Sequence, residues 1–347
     1  MISILDQEFS ALNQYIEKEN PSQIFILADE NTHEKCIPLL LANLETEIPF
    51  EIIEIEAGED AKNINTATQL WEILSEFKAD RKSLLLNLGG GVITDMGGFV
   101  ASTYKRGIKF LNIPTTLLAM CDASIGGKTG IDHQYLKNIV GTFANAEHIL
   151  VYPKFLETLA FVELRSGFAE MLKHGLIACE NHWNDLIALN ELTAENIAPH
   201  IENSMMIKEN VVLKDFKEEN VRKILNFGHT IGHAIESLFL KSEQIIPHGE
   251  AVALGMIMEA QLSHLEGLIA EDIANTIILN IRKFYPYISI NQFSNDEIMN
   301  LMINDKKNNH GKINFSLLEA IGKCNYDYKV STENIIKSLD FYRNLNK

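Results

Sequence analysis

Short apolar runs alternate with amphipathic helical patterns along the first half of the chain. Polar, helix-forming stretches such as residues 65–77 separate the apolar runs. Strands that alternate with helices predict βαβ crossovers and a parallel sheet, whose ligands bind beyond the carboxyl ends of the strands. The runs predicted to be buried strands are residues 23–29, 50–56, 83–89 and 109–114.

The second half of the chain has a different pattern. From Pro153 onward strand signals are few, and apolar residues recur at helical spacing in residues 168–180, 200–216, 229–240 and 249–269. We therefore predict an α/β nucleotide-binding domain with a parallel sheet over residues 1–152. A mainly α-helical domain is predicted over residues 153–347.

Composition and charge narrow the class of protein. The chain has 347 residues and a formal net charge of −17, which argues against a nucleic-acid or anionic-membrane partner. The N-terminal segment carries Asp6 and Glu8 where a signal peptide would be apolar, and no run is long enough to cross a bilayer. The four cysteines form no CxxC pair. These features predict a cytoplasmic protein with free thiols, and an anionic substrate would need a local basic pocket.

A glycine loop follows the third predicted strand. The sequence GGGVITD departs from G-x-G-x-x-G because Thr94 stands where the third glycine is required. Its glycines and the amides of the following helix suit either a phosphate or a tight structural turn. Asp95 either caps the helix expected around residues 96–104 or accepts hydrogen bonds from sugar hydroxyls.

A second glycine cluster, GGKT at residues 126–129, resembles the end of a P-loop. Asp122 occupies the position of the first P-loop glycine, so a nucleoside triphosphatase is disfavoured. Lys128 in this turn still suits a phosphate or a carboxylate, although a lysine without a function is the simpler interpretation.

Histidines and a glutamate in the second half suggest a metal site. His229 and His233 share one helix face, but Thr230 replaces the glutamate of the H-E-x-x-H motif. His248 opens a further helix, and Glu170 lies on an otherwise apolar helix, three residues before Lys173. One carboxylate with two imidazoles is the ligand set of a catalytic zinc.

These motifs together resemble a known family. GGGVITDMGGF, RGI, PTTLLA, DASIGGKTGID, KNIVGTF, SGFAEMLKHG, LNFGHTIGHAIE, HGEAVALGM and DKKNNHGKINFSLL occur in the order seen in 3-dehydroquinate synthases, which are sugar-phosphate cyclases. The resemblance implies conversion of 3-deoxy-D-arabino-heptulosonate 7-phosphate to 3-dehydroquinate and phosphate, in the shikimate pathway. It also implies catalytic NAD, a divalent metal, usually zinc although cobalt is possible, and a homodimer.

The resemblance also assigns roles to residues of this chain. The implied metal ligands are Glu170, His229 and His248. The implied NAD-binding residues are Asp29, Asn31, Glu59, Lys62, Gly91, Val92, Ile93, Thr94, Asp95, Thr115, Thr116, Lys128, Lys137, Phe155, Leu156, Glu157 and Thr158. The implied catalytic residues are Asp122, Lys128, Lys173, Arg222, Asn226 and His233, and the implied substrate-binding residues are Arg106, Asn138, Lys208, Lys306 and Lys307.

The chemistry of the implied reaction requires these groups. The substrate carries a phosphate and a carboxylate, which several lysines and Arg222 would bind. Oxidation of a hydroxyl by NAD acidifies the neighbouring C–H, so phosphate can leave before the hydride returns and an aldol step closes the ring. Lys173 and His233 are candidates for relaying the hydroxyl proton. A related sugar-phosphate cyclase, a metal-dependent polyol dehydrogenase and a non-catalytic binding module remain alternatives.

Overall fold

A computed structural model describes residues 1–134, 136–304 and 313–346. The chain forms two compact units, Met1–Ala160 and Phe161–Lys347. The sequence placed its boundary slightly earlier, at residue 152. Within the described residues, no helix is both long enough and apolar enough to cross a bilayer.

A six-stranded parallel sheet is the centre of the first unit. The strands of the unit are β1 Ile2–Ile4, β2 Ile24–Asp29, β3 Phe50–Ile55, β4 Leu84–Gly89, β5 Lys109–Pro114, β6 Lys128–His133, β7 Leu136–Phe143 and β8 His148–Val151. The order in the sheet is β1-β8-β5-β4-β2-β3, and every neighbouring pair is parallel, so the predicted α/β class is confirmed. The four predicted strands are β2 to β5, while β1 and β8 were missed because each is very short.

The helices of the first unit connect these strands. Apolar side chains of β2 and β4, such as Phe25 and Leu85, pack with Leu70 and Met96 of two helices in one buried core. The helices are α1 Ser10–Glu19, α2 Glu30–Lys35, α3 Ile37–Asn43, α4 Ile64–Glu76 and α5 Gly91–Thr103.

Helix α5 begins earlier than the sequence indicated. The helix expected from residue 96 starts at Gly91, directly after β4, so Asp95 lies inside it and is not its cap. A Cβ at Gly89 would overlap the side chain of Ile93, and the glycine therefore lets the strand turn at once into the helix.

Helices form most of the second unit, as predicted. They are α6 Phe161–Ala178, α7 Glu180–Ile187, α8 Ala194–Lys214, α9 His229–Lys241, α10 His248–Leu265, α11 Glu271–Phe284, α12 Asn295–Asn304 and α13 Thr332–Asn344. Helix α10 is buried along most of its length and contacts α6, α9, α11 and α13.

Two antiparallel hairpins were missed by the sequence patterns. In the first unit β6 pairs with β7 outside the main sheet. In the second unit β9, Asn314–Ala320, pairs with β10, Lys323–Lys329. Strand β10 alternates between exposed and half-buried residues and carries charges on its exposed side, which weakens its apolar signal.

Candidate active site

A buried carboxylate and two imidazoles converge in the second unit. Glu170 lies on α6 with no exposed surface, His229 is the first residue of α9, and His248 is the first residue of α10. Oε1 of Glu170 lies 3.4 Å from Nε2 of His229 and 3.6 Å from Nε2 of His248. Two histidines from different helices therefore place their Nε2 atoms close to one carboxylate oxygen of a third helix.

The other nitrogen of each imidazole faces an acceptor. Nδ1 of His229 lies 3.1 Å from the carbonyl oxygen of Phe227, and Nδ1 of His248 lies 3.3 Å from Oε2 of Glu236. A carbonyl oxygen only accepts, so Nδ1 of His229 carries the proton and Nε2 presents its lone pair. Metal-binding histidines characteristically donate their second N–H in this way.

These distances fit a divalent metal. Ligands about 2.0 Å from a tetrahedral zinc lie about 3.3 Å from one another. The separations of Glu170 from His229 and His248 are close to that value. His233 also contributes a ring nitrogen, because one donor atom from each of the three histidines lies within 4.8 Å of the others. Geometry alone therefore admits His233 as a further donor.

The charges around His248 favour its protonated form when no metal is bound. Burial disfavours the imidazolium, but the carboxylates of Glu170 and Glu236 outweigh that cost and raise the pKa of His248 to about 10. A divalent cation would take the place of this proton. The same two carboxylates would then stabilise the metal.

Backbone contacts hold the two histidine-bearing helices in place. Glu259, which is fully buried on α10, accepts hydrogen bonds from the amides of Gly228 at 2.5 Å and Ile231 at 3.0 Å. It thereby anchors the N-terminus of α9 on both sides of His229. The amide of Gly249 donates to Oγ of Ser166 at 3.0 Å, and a Cβ at Gly249 would overlap the Ser166 backbone. Close contact between α10 and α6 thus sets His248 beside Glu170.

Sequence reasoning missed Glu236 and Glu259. A glutamate inside the apolar run AVALGMIMEA was the signal for Glu259, since a carboxylate in such a run needs buried hydrogen-bond donors. Glu236 ends the motif LNFGHTIGHAIE, seven residues after His229 and therefore on the same helix face, but the sequence analysis assigned it no role.

Buried cations also lie in the second unit. The Lys173 ammonium forms an ion pair with Oε2 of Glu170. Lys208 on α8 is 6% exposed, and Arg222, in the 3₁₀ turn Val221–Asn226, is 3% exposed. Nη1 of Arg222 donates to the carbonyl of Phe216 at 2.6 Å. Helix α8, α6 and the 3₁₀ turn pack on one another, which places these cations among neighbouring elements.

The amide of Asn226 is engaged within the same unit. Its Nδ2 donates to Oε1 of Glu218 at 2.9 Å, so the side chain is oriented by a carboxylate.

In the first unit, most residues predicted to bind NAD follow the carboxyl ends of five adjacent strands. Asp29 ends β2 and Asn31 lies in α2. Glu59 and Lys62 follow β3, Gly91 to Asp95 follow β4, Thr115 and Thr116 follow β5, and Phe155 to Thr158 follow β8. The parallel sheet therefore gathers these residues at one edge.

The start of α5 fits an anionic group. Gly90 caps the helix with extended backbone, and the first hydrogen bond of the helix runs from the Thr94 amide to the Gly90 carbonyl at 3.0 Å. The preceding amides have no acceptor within the helix and carry the positive end of its dipole. A Cβ at Gly90 would lie 3.0 Å from the side chain of Thr116, so the absence of a side chain lets the glycine loop and Thr116 lie this close together.

The charge of Asp95 is balanced within this edge. The Lys62 ammonium lies 2.7 Å from Oδ2 of Asp95 and 2.6 Å from Oδ1 of Asn138. The Lys62 side chain is 3% exposed. An aspartate can therefore stand one turn from a helix start that suits an anion without an unbalanced negative charge.

The remaining predicted residues of the first unit lie in turns and in the β6–β7 hairpin. Asp122 belongs to the π-helical turn Ala119–Ala123, Lys128 begins β6, and Lys137 lies in β7. Arg106 is exposed after α5 with a φ of 66°. Lys306 and Lys307, predicted to bind substrate, lie outside the described residues.

Comparison with known proteins identifies one family in both halves of the chain. Residues 52–166 match the family model for the 3-dehydroquinate synthase N-terminal domain, and residues 167–308 match the model for the C-terminal domain. A 3-dehydroquinate synthase from Parabacteroides distasonis is 43% identical over 96% of this chain and 95% of its own length. One from Campylobacter jejuni is 37% identical over 94% of this chain and 95% of its own length.

Solved structures share the fold. A 2-deoxy-scyllo-inosose synthase complexed with carbaglucose-6-phosphate, NAD+ and Co2+ superposes with a TM-score of 0.82 at 23% identity, covering 99% of this chain and 96% of that one. The 2-epi-5-epi-valiolone synthase ValA from Streptomyces hygroscopicus, with NAD+ and Zn2+ bound, gives a TM-score of 0.82 at 24% identity with the same coverage. A probable glycerol dehydrogenase from Sinorhizobium meliloti is more distant, with a TM-score of 0.65 at 13% identity.

Proposed function

The chain belongs to the 3-dehydroquinate synthase family, as the resemblance of its motifs predicted, and we propose how its residues carry out that family's activity. The activity is the conversion of 3-deoxy-D-arabino-heptulosonate 7-phosphate to 3-dehydroquinate and phosphate. The proposal depends on the proximity of Glu170 to His229 and His248, and on the hydrogen-bond acceptor that faces Nδ1 of each imidazole.

The metal ligands in this proposal are Glu170, His229 and His248. A divalent metal held by them, zinc or cobalt, would polarise an oxygen of the substrate. Glu236 and the Phe227 carbonyl orient the two imidazoles, and Glu259 holds the helix from which His229 projects. The fold neighbours whose structures contain Co2+ or Zn2+ support a metal of this kind.

NAD is the proposed cofactor of the first unit, where it would supply a hydride acceptor and donor. The amides at the start of α5 would bind its pyrophosphate. The carboxylates of Asp29 and Asp95 would accept hydrogen bonds from its sugar hydroxyls, and the threonines after β5 would form further hydrogen bonds with the sugars. Support comes from the gathering of these residues at one sheet edge and from the NAD+ in the two cyclase neighbours.

Buried cations are proposed to bind the two anionic groups of the substrate. Lys208 and Arg222 are held in packed surroundings, which lowers the entropy cost of ordering them around a carboxylate or a phosphate. Lys173, which is paired with Glu170, and His233 would hold and release the proton of the hydroxyl that is oxidised. Lys128, Asn138 and Asn226 would orient the substrate hydroxyls.

Assembly and location are further parts of the proposal. We propose a homodimer in the cytoplasm, in which the exposed Arg106 is available to a second subunit. The four cysteines form no disulfide, which is consistent with a reducing compartment.

A direct assay tests the function. Purified protein is incubated with the heptulosonate phosphate, a divalent metal and catalytic NAD, and both phosphate and NADH absorbance are followed. We expect phosphate release without net NADH. Net NADH from polyols would instead identify a dehydrogenase. Turnover of glucose 6-phosphate or sedoheptulose 7-phosphate alone would identify a related cyclase.

A further inference from the structure

Lys62 joins three separate segments of the first unit. Its backbone follows the 3₁₀ turn Glu59–Ala61, while its ammonium contacts Asp95 in α5 at 2.7 Å and Asn138 in β7 at 2.6 Å. The ammonium is buried, and both contacts are short hydrogen bonds to oxygen acceptors. One side chain therefore links the proposed cofactor loop to a proposed substrate-binding residue.

Backbone hydrogen bonds close this link into a ring. The amide of Asp132 donates to the carbonyl of Lys62 at 2.8 Å, and the amide of Asn138 donates to Oδ1 of Asp132 at 2.6 Å. Lys62 thus holds both strands of the β6–β7 hairpin, one through its carbonyl and one through its ammonium. The ring fixes Asn138, whose φ of 51° is unfavourable for most residues.

The lysine keeps its charge in this buried position. Burial lowers the pKa of Lys62, but Asp95 and Glu59 more than offset the effect and raise it above its usual value. An ammonium has three N–H donors, of which Asp95 and Asn138 take two.

We propose that Lys62 is a positioning residue that couples NAD binding at Asp95 to substrate binding at Asn138. This inference rests on the proposed function, because it takes the cofactor and substrate roles of those two residues from there. The ring is formed without ligands, so NAD bound at Asp95 would stabilise it further and thereby hold Asn138 more firmly, and substrate bound at Asn138 would stabilise Asp95 in the same way by reciprocity of linked equilibria.

The experiment measures coupling and hairpin mobility in the full-length enzyme. NAD affinity is determined by calorimetry with and without saturating 3-dehydroquinate, in phosphate-free buffer so that no reverse turnover occurs. Hydrogen exchange of the β6 and β7 amides is measured without ligands. In wild type we expect NAD to bind at least about fivefold more tightly when the product is present, the lower end of common coupling strengths.

Substitutions separate positioning from general stability. In Lys62→Met we expect the coupling to vanish and hairpin exchange to accelerate. Lys62→Arg should retain most of both because it keeps the charge and the donors. If Lys62→Met does not fold, Lys62→Gln takes its place. The control is Lys82→Met, at an exposed lysine, which should behave as wild type.

Two outcomes would overturn the proposal. The first is a Lys62→Met or Lys62→Gln enzyme with wild-type coupling and exchange, and the second is a wild type with no coupling. Failure of the wild type to bind NAD at all would instead refute the proposed function. In that case the hydrogen exchange of the β6 and β7 amides, which is measured without ligands, would still show whether Lys62 holds the two strands.

Discussion

Oε1 of Glu170 lies 3.4 Å from Nε2 of His229, although the two residues belong to different helices. This separation matches that of two ligands on one tetrahedral metal. It depends on Glu259, which holds the start of α9, and on the contact of α10 with α6. The site is thus produced by packing between helices, and it can be tested at the ligands and at the residues that place them.

Removal of any one ligand should abolish metal binding and turnover together. In Glu170→Ala, His229→Ala and His248→Ala we expect metal affinity to fall by at least about 100-fold, since even the loss of a residue behind a ligand costs 10–100-fold. Metal content after dialysis and the rate of phosphate release are the measurements. His200→Ala, at a half-buried histidine on α8, is the control. Full metal content in one variant would contradict that residue's assignment.

The Glu259 carboxylate should matter for metal affinity although it is not a proposed ligand. Glu259→Gln keeps the shape but provides only one acceptor oxygen, so one of the two amides at the start of α9 loses its partner. We expect a loss of about 1–3 kcal/mol in unfolding free energy and a 10–100-fold lower metal affinity. Urea denaturation and chelator competition measure the two effects. Glu202→Gln, on an exposed face of α8, should change neither, and unchanged metal affinity in Glu259→Gln would refute the positioning role.

Arg222 should act mainly in substrate binding. Arg222→Ala removes a charge-assisted contact worth about 1.5–3 kcal/mol, so KM for the heptulosonate phosphate should rise about 10- to 150-fold with a smaller change in kcat. Initial rates at varied substrate give both constants. Lys223→Ala is a matched control because its side chain forms an exposed pair with Asp327. A KM equal to that of wild type would argue against the assignment.

His182 should make the protein less stable in acid. Both of its ring nitrogens are buried without a hydrogen-bond partner among the described residues, and burial, aided by His174 and His200, lowers its pKa to about 4. The unfolded chain binds a proton below about pH 6.5. Unfolding free energy is therefore unaffected above that pH and falls as pH drops from about 6.5 towards 4.

Comparison with a non-titrating variant isolates this effect. Between pH 7.5 and 5.5, wild type should lose about 1 kcal/mol more unfolding free energy than His182→Leu. Urea denaturation at both pH values measures the difference, with His133→Leu, at an exposed histidine, as the control. Parallel losses in wild type and His182→Leu would exclude the buried neutral imidazole as the cause.

Local patterns were sufficient for much of the fold. The apolar runs at residues 23–29 and 83–89 became β2 and β4 with shifts of at most one residue, because buried parallel strands need continuous apolar sequence. The helical spacing in residues 229–240 and 249–269 likewise predicted α9 and α10. The hairpin strands β7 and β10 were not predicted, since they are largely exposed and gain their order from cross-strand pairing.

The motifs of the sequence determined the family and named the residues that could bind a metal, NAD and an anionic substrate, because those residue types carry the chemistry wherever they lie. Only the tertiary structure decided which of them meet. Helix packing brought Glu170 to His229 and His248, and Lys62 reached Asp95 and Asn138 across three segments. Such contacts depend on how helices and strands pack over long sequence separations, which local periodicity does not encode.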